Sequence, residues 1–243
     1  MINIGIFSKD FNNLSNLEYR LYAWSKKQEW INIEIFLIDG RNIKKPHILK
    51  KIFHYKIISK LLFFIINRFD ILFNSYIKIE QSKKKEIIEW LNGHSKLIIK
   101  PLRQKGNIDY FDENLTKQIS KYNLDLILRF DLGIIKGNIL NLTKYGIWSF
   151  HHADNDINRG GPAGFWEVYL KQDITGVTLQ RLNEELDGGD VIEKGFYPTQ
   201  STFIKNNSFI IEKSLTILIK NLKLINDNSI FFKKSKIYNN LTK

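Results

Sequence analysis

Three consecutive segments at the N-terminus set the kind of fold open to this chain. Residues 2–7 (Ile, Asn, Ile, Gly, Ile, Phe) alternate loosely and stop at Ser8. Over 14–27, Leu14, Leu17, Leu21 and Trp24 recur at spacings of three and four, which is one face of a helix. Residues 31–38 (INIEIFLI) are β-rich and close at the Asp39-Gly40 turn signal. Strand, helix, strand is the opening of a parallel α/β sheet. The same grammar predicts a helix over 83–92, a strand over 96–100 ending at Pro101, and a helix over 111–122 with Asp112 near its start. An apolar strand Leu124–Phe130 follows, then a turn or short helix punctuated by Gly133 and Gly137, and a strand Gly146–His151. A polar, glycine-rich loop (153–164) leads to a helix start at Phe165–Leu170. Strands 176–182 and 191–197 are joined by the acidic turn 183–190. Ile210, Ile211, Leu215, Leu218, Leu222 and Ile225 then mark a closing helix over 207–225. The reading is an α/β unit over 1–200, with a closing helix and short basic tail over 201–243.

Composition narrows the functional classes. The 243 residues are 43% hydrophobic and 13% aromatic, enough for a full core in one domain and incompatible with global disorder. There is no cysteine, hence no disulfide, no thiolate nucleophile and no Cys-ligated metal. The net charge of +12 could draw nucleic acid, anionic lipid or a phosphorylated substrate. Runs such as Lys83-Lys84-Lys85 and Lys233-Lys234 read as solvated surface in a chain rich in Ile, Lys and Asn. The start MINIGIFS lacks a basic stretch followed by an apolar one, so a signal peptide is not expected and the cytoplasm is. Phe53, Ile57, Leu61, Ile65 and Phe69 recur every four residues within 47–80. The uninterrupted run Leu61–Ile66 is too short to cross a bilayer. That segment reads as a buried helix or helical hairpin, the competing reading being an amphipathic element on a membrane surface.

The chemistry concentrates in residues 146–190. His151 and His152 are adjacent at the end of a buried-looking strand, and strand neighbours point to opposite faces, so the two cannot share one environment. The carboxyl end of a parallel strand faces the crevice where α/β proteins bind ligands, and a histidine there is a natural general base. A structural, hydrogen-bonded histidine is the alternative. Arg159-Gly160-Gly161-Pro162 is a rigid turn able to bring backbone close to a ligand, and Leu186-Asp187-Gly188-Gly189-Asp190 is a second special turn. A carboxylate such as Asp187 facing an imidazole holds its tautomer and relays a proton, although Asp and Gly also suit turns on their own account.

These residues resemble the catalytic core of the folate-dependent formyltransferases, whose members act on methionyl-tRNA, glycinamide ribonucleotide and amino-sugar nucleotides. The matching pieces, in order, are Gly146, His151, the Arg159–Pro162 loop, Gly176-Val177-Thr178 and Leu186–Asp190. The resemblance implies a Rossmann-like, mostly parallel twisted sheet with helices on both faces. It implies N10-formyltetrahydrofolate as co-substrate and no metal. It places the pterin near Phe130, Asp131, Leu132 and Ile134 and near the turn carrying Glu185 and Asp190. His151 and Asp187 would be catalytic, and His152, Arg159, Gly160, Gly161 and Pro162 would lie toward the acceptor. The chain departs from the family pattern at Ser149, where the family has an asparagine that donates to the formyl oxygen. Ser149 is taken as its replacement, with His152 or a backbone amide as further donors. It departs again at Ala153 and at Asp154-Asn155-Asp156, which make the loop more polar.

For the acceptor, the resemblance favours a nucleotide-linked amino sugar, such as dTDP-4-amino-4,6-dideoxyglucose used in surface polysaccharide. The chain ends soon after the core, which reads against tRNA, and Ser8-Lys9-Asp10 offers no glycine-rich turn for a ribonucleotide phosphate. Trp148, Phe165, Trp166 and Tyr169 are candidates to stack on a base or sugar, the alternative for Trp166 and Tyr169, at helical spacing, being the core. The expected partners are small molecules, folate and nucleotide sugar, with no nucleic acid and with a homodimer as the expected assembly. Two alternatives stand beside this: a non-catalytic protein on the same fold, and an enzyme in peripheral membrane contact acting on a lipid-linked amino sugar.

Overall fold

The computed structural model describes residues 1–8, 14–41, 81–152, 162–185 and 189–227. The expectations for 47–80 and for the basic tail beyond 227 lie outside these residues. Seven strands form the main sheet: β1 (Ile2–Ser8), β2 (Ile31–Asp39), β3 (Ser95–Ile99), β6 (Leu126–Arg129), β8 (Ile147–His151), β9 (Ile174–Arg181) and β10 (Asp190–Pro198). Their spatial order is β10-β9-β8-β6-β1-β2-β3. The pairs β1/β2, β2/β3, β1/β6 and β6/β8 are parallel, whereas β8/β9 and β9/β10 are antiparallel. The sheet is thus the mostly parallel one read from the sequence. The chain builds outward from β1 through β2 to β3, then returns to lay β6 on the other side of β1. That reversal opens a crevice at the carboxyl ends of β1 and β6, the place where open α/β sheets bind ligands.

The helices cover both faces of this sheet. On one side α1 (Asn16–Ser25), α2 (Gln81–Asn92) and the closing helix α5 (Phe203–Asn226) bring Leu21, Tyr22, Leu91, Ile210, Leu218 and Leu222 against Ile4, Ile6, Leu126 and Trp148. On the other, α3 (Glu113–Ser120) and a 3₁₀ turn at Asn138–Asn141 bring Ile119, Ile139 and Leu140 against Phe7, Ile35, Leu37, Ile127 and Ile147. Both parallel central strands are apolar on both faces because both are covered. Trp148 is 1% exposed and belongs to the first of these cores, its Nε1 donating to the Tyr145 carbonyl at 3.0 Å. It does not stack on a ligand, a correction to the sequence reading; the alternation of the strand turns it inward.

α1 begins at a capping box. Ser15 Oγ accepts from the Glu18 amide at 3.2 Å, and Glu18 Oε2 accepts from the Ser15 amide at 3.0 Å. α3 starts at Asp112, whose Oδ1 accepts from the Leu115 amide at 2.8 Å. α5 is tied to the short helix α4 (Phe165–Tyr169) by the buried Asn206, whose Nδ2 donates to the Gly164 carbonyl at 2.9 Å and to Thr175 Oγ1 at 3.0 Å.

A small second sheet, β4 (Leu102–Gln104), β5 (Ile108–Phe111) and β7 (Ile134–Gly137), has no counterpart in the sequence reading, which gave 133–137 as a turn or short helix. β7 pairs in parallel with β5, and only the 3₁₀ turn after it is helical. Strands of three or four residues carry too little alternation to be seen locally. The sheet is anchored by Asp109, wholly buried, which meets Arg41 Nη1 at 2.6 Å and Arg103 Nε at 2.9 Å and accepts from the Gly133 amide at 2.6 Å.

Candidate active site at the carboxyl end of the sheet

The crevice between β1 and β6 holds a cavity of about 470 Å³. Its wall is built by Ser15, Leu17 and Glu18 at the start of α1, by Arg129, Phe130 and Asp131 at the end of β6, by Ser149, Phe150 and His152 at the end of β8, and by Ile211 of α5. The register explains this gathering: Arg129 is paired on one side with Phe7 and on the other with Ser149, so the ends of β1, β6 and β8 lie side by side.

Ser149 is 3% exposed. Its Oγ accepts a hydrogen bond from Arg129 Nη1 at 2.8 Å, while Arg129 Nη2 donates to the Leu132 carbonyl at 2.9 Å. Arg129 Nε is enclosed and has no hydrogen-bond partner among the described residues. Burial lowers the Arg129 pKa, and Asp131 and Asp109 oppose that effect. An arginine stays charged through such a shift, so a cation sits in the cavity wall. Leu132 has a left-handed backbone, φ 79°, one that a non-glycine residue adopts only when its surroundings hold it. Arg129 on its carbonyl and Asp109 on the next amide supply that hold.

His151 and His152 part company as strand neighbours must. His151 ends β8 opposite Thr178 of β9 and is half-buried. His152 lines the cavity. Its ring stacks on Phe150, with centroids 5.5 Å apart, and its Nε2 is enclosed with no hydrogen-bond partner among the described residues. Burial, and secondarily the neighbouring His151, pushes its pKa down to about 4, so it is neutral at physiological pH.

Of the residues singled out from sequence, Phe130, Asp131, Ser149 and His152 are brought to one cavity, with Leu132 tied to it through Arg129. Ile134 opens β7. At the far end of β7 the Gly137 amide donates to Glu184 Oε1 at 3.2 Å, and Lys136 Nζ lies 3.6 Å from Glu184 Oε2. The segment 130–134 and the start of the turn that carries Glu185, both expected near the pterin, therefore flank one short strand. Glu185 is exposed beside this contact, and Asp190 opens β10 opposite Arg181. Pro162 is exposed, its carbonyl accepting from the Phe165 amide at 3.1 Å. Asp187, Arg159, Gly160 and Gly161 lie outside the described residues. Sequence reasoning missed Arg129, Ser15 and Glu18. The available signal for Arg129 was a charge closing the apolar run Leu126–Leu128; the capping-box spacing of Ser15 and Glu18 was equally visible.

No family model matches the chain. The chain is similar in sequence to methionyl-tRNA formyltransferases. One from Agathobacter rectalis is 32% identical over 94 residues, 38% of this chain and 28% of that protein. One from Prochlorococcus marinus strain MIT 9515 is 28% identical over 160 residues, 61% of this chain and 48% of that protein. Over part of its length in sequence, and in its fold, the chain is similar to formyltransferases. It spans less than half the length of these curated relatives. The fold agrees with solved formyltransferases. Glycinamide ribonucleotide transformylase 1 from Symbiobacterium toebii matches with a TM-score of 0.59 at 14% identity, over 96% of this chain and 91% of that one. The sugar 3N-formyltransferase WlaRD, solved with dTDP and 5-N-formyl-THF, matches with a TM-score of 0.51 at 14% identity, over 98% of this chain and 68% of that one. Within this formyltransferase fold, the described residues include no helix long and apolar enough to cross a membrane.

Proposed function

We propose that the protein is an N-formyltransferase that moves a formyl group from N10-formyltetrahydrofolate to the amine of a nucleotide-linked amino sugar, such as dTDP-4-amino-4,6-dideoxyglucose. The observation that carries the reading is the buried Ser149–Arg129 pair lining the switch-point crevice, with Ser149 on the strand that ends in His151. Residues 149 and 151 stand two apart on β8 and so share a face. Ser149 would donate to the formyl oxygen as it gains charge, and His151, oriented by Asp187, would take part in removing the amine proton.

The fit of the folate is tested by the orphaned polar atoms. Arg129 Nε and His152 Nε2 are enclosed at the cavity wall without partners among the described residues, a state that costs free energy unless a ligand relieves it. Phe130, Asp131, Leu132 and Ile134 would offer backbone groups to the pterin, with Glu185 and Asp190 on the turn beyond β7.

The wall of the cavity bears on the acceptor. The start of α1 is capped by its own side chains, and Glu18 sets a carboxylate beside the cavity. A carboxylate there suits the amine of an acceptor. His152 and the Arg159–Pro162 loop would meet the acceptor. A second reading, methionyl-tRNA as acceptor, is favoured by the names of the sequence relatives and by the net charge of +12.

The test is a mass-spectrometric assay with N10-formyltetrahydrofolate and a panel of amino-sugar nucleotides, glycinamide ribonucleotide and methionyl-tRNA. Gain of one formyl group on an amino-sugar nucleotide is the expected result. Formylated methionyl-tRNA in place of it establishes the second reading. No product on any acceptor, with no folate binding by calorimetry, overturns both.

A further inference from the structure

We propose that Arg129 is a positioning residue that turns Ser149 into the oxyanion donor of the site, taking over with a serine–guanidinium pair what an asparagine amide does alone. The inference rests on the formyl-transfer reading above.

The argument begins with the hydrogen-bond polarity of the pair. A serine hydroxyl has one proton and can give it in only one direction. A guanidinium has no acceptor, so in the 2.8 Å contact Arg129 Nη1 donates and Ser149 Oγ accepts. The Ser149 proton is thereby released from Arg129 and left to point elsewhere. Ser149 itself lines the cavity, so that proton has a ligand site within reach. A hydroxyl that accepts from a cation is also a stronger donor than a free one, because the chain of hydrogen bonds is polarised in one sense.

The second observation is that Arg129 is fixed. Nη2 is held on the Leu132 carbonyl at 2.9 Å, and the strand pairing of residue 129 with Phe7 and Ser149 holds its backbone. The cation is largely withdrawn from water, where its field on the cavity is least screened. A preorganised donor backed by a buried charge is the arrangement that stabilises an anion only where it develops.

In the reaction, a bond forms between the acceptor nitrogen and the formyl carbon, and the bond from that carbon to N10 of the folate breaks. The acceptor amine loses one proton and N10 gains one. The formyl oxygen carries negative charge only between these events. Ser149 donates to it at that stage, and Arg129 supports the donor without touching the reacting atoms.

The experiment compares Arg129→Gln, Arg129→Lys, Ser149→Ala and Ser149→Asn with the unaltered protein in the formyl-transfer assay, together with the double variant R129Q/S149N. Thermal melts check folding. Ser149→Ala and Arg129→Gln are each expected to lower kcat by about 10²-fold or more, with Arg129→Lys recovering part of the loss. The double variant is expected to be more active than Arg129→Gln, because an asparagine amide carries its own donor and needs no guanidinium behind it. A merely structural arginine would not be rescued by a change at residue 149. The proposal is overturned if Ser149→Ala keeps near-normal kcat, a result that holds even where the Arg129 variants fail to fold. It is equally overturned if folded Arg129→Gln stays active or if the double variant is no better than Arg129→Gln. An unaltered protein that formylates no acceptor overturns the formyl-transfer reading, and this inference with it. Activity in the unaltered protein that persists in the variants overturns this inference alone.

Discussion

The imidazole of His152 lies against the ring of Phe150, with the two planes 26° apart and the centroids 5.5 Å apart, and its Nε2 is sealed from solvent. Burial leaves the ring neutral and makes it a weak point in acid. The pKa falls from 6.5 to about 4 in the native protein, chiefly through burial.

That shift predicts an acid-sensitive stability. Above pH 6.5 neither state holds the extra proton. Between 6.5 and about 4 the unfolded chain takes up the proton and the native one does not, so stability falls as pH falls and levels off below 4. The loss attributable to this group is on the order of 3 kcal/mol. Urea melts across this range will show the drop in the unaltered protein and a shallower one in His152→Gln. Equal slopes in the two proteins would assign the sensitivity to other groups.

His151→Ala and Asp187→Asn are expected to lower formyl transfer by at least about 10²-fold each, the usual worth of a positioned acid–base group. Melting temperatures should stay near that of the unaltered protein, since His151 is only half-buried. Both variants retaining near-normal turnover would remove these residues from the proposed site.

Asp109→Ala should be strongly destabilising. It leaves Arg41, already paired with Asp39 at 2.5 Å, and Arg103 without their shared carboxylate, and it frees the Gly133 amide. Removing one partner from a buried ion pair costs about 3–5 kcal/mol. The same change should weaken folate binding, because Gly133 follows Leu132 in the segment expected to meet the pterin. Denaturant unfolding and folate calorimetry check the two effects separately.

Leu222→Ala tests the role of α5 in the core. Leu222 is wholly buried among residues of α1 and the sheet. A loss of about 2–5 kcal/mol is expected for a leucine truncated at such a site. A loss below about 1 kcal/mol would show that α5 contributes little to holding the sheet.

The elements with strong local periodicity were legible from the residues. Leu17 and Leu21 mark the buried side of α1, and Ile210, Leu218 and Leu222 that of α5, because a helix repeats its environment within a few residues. The runs at β1, β2, β6 and β8 were legible because they are rich in β-branched and other apolar residues. The match of Gly146, His151 and the Gly176-Val177-Thr178 strand to a formyltransferase pattern was likewise present in the sequence alone.

Other features existed only in three dimensions. Trp148 looked like a ring available to a ligand until the strand's alternation was fixed by its neighbours and turned it into the core. The β4-β5-β7 sheet depends on Asp109 meeting Arg41 across 68 positions of chain. The Arg129–Ser149 contact joins residues twenty apart that become neighbours only when β6 and β8 pair in register. The local residue pattern determined the longer strands and helices, since those choices are made by backbone geometry within a few residues. Tertiary structure decided which polar groups lost their water and which partners they found instead, and the chemistry of the site depends on that exchange.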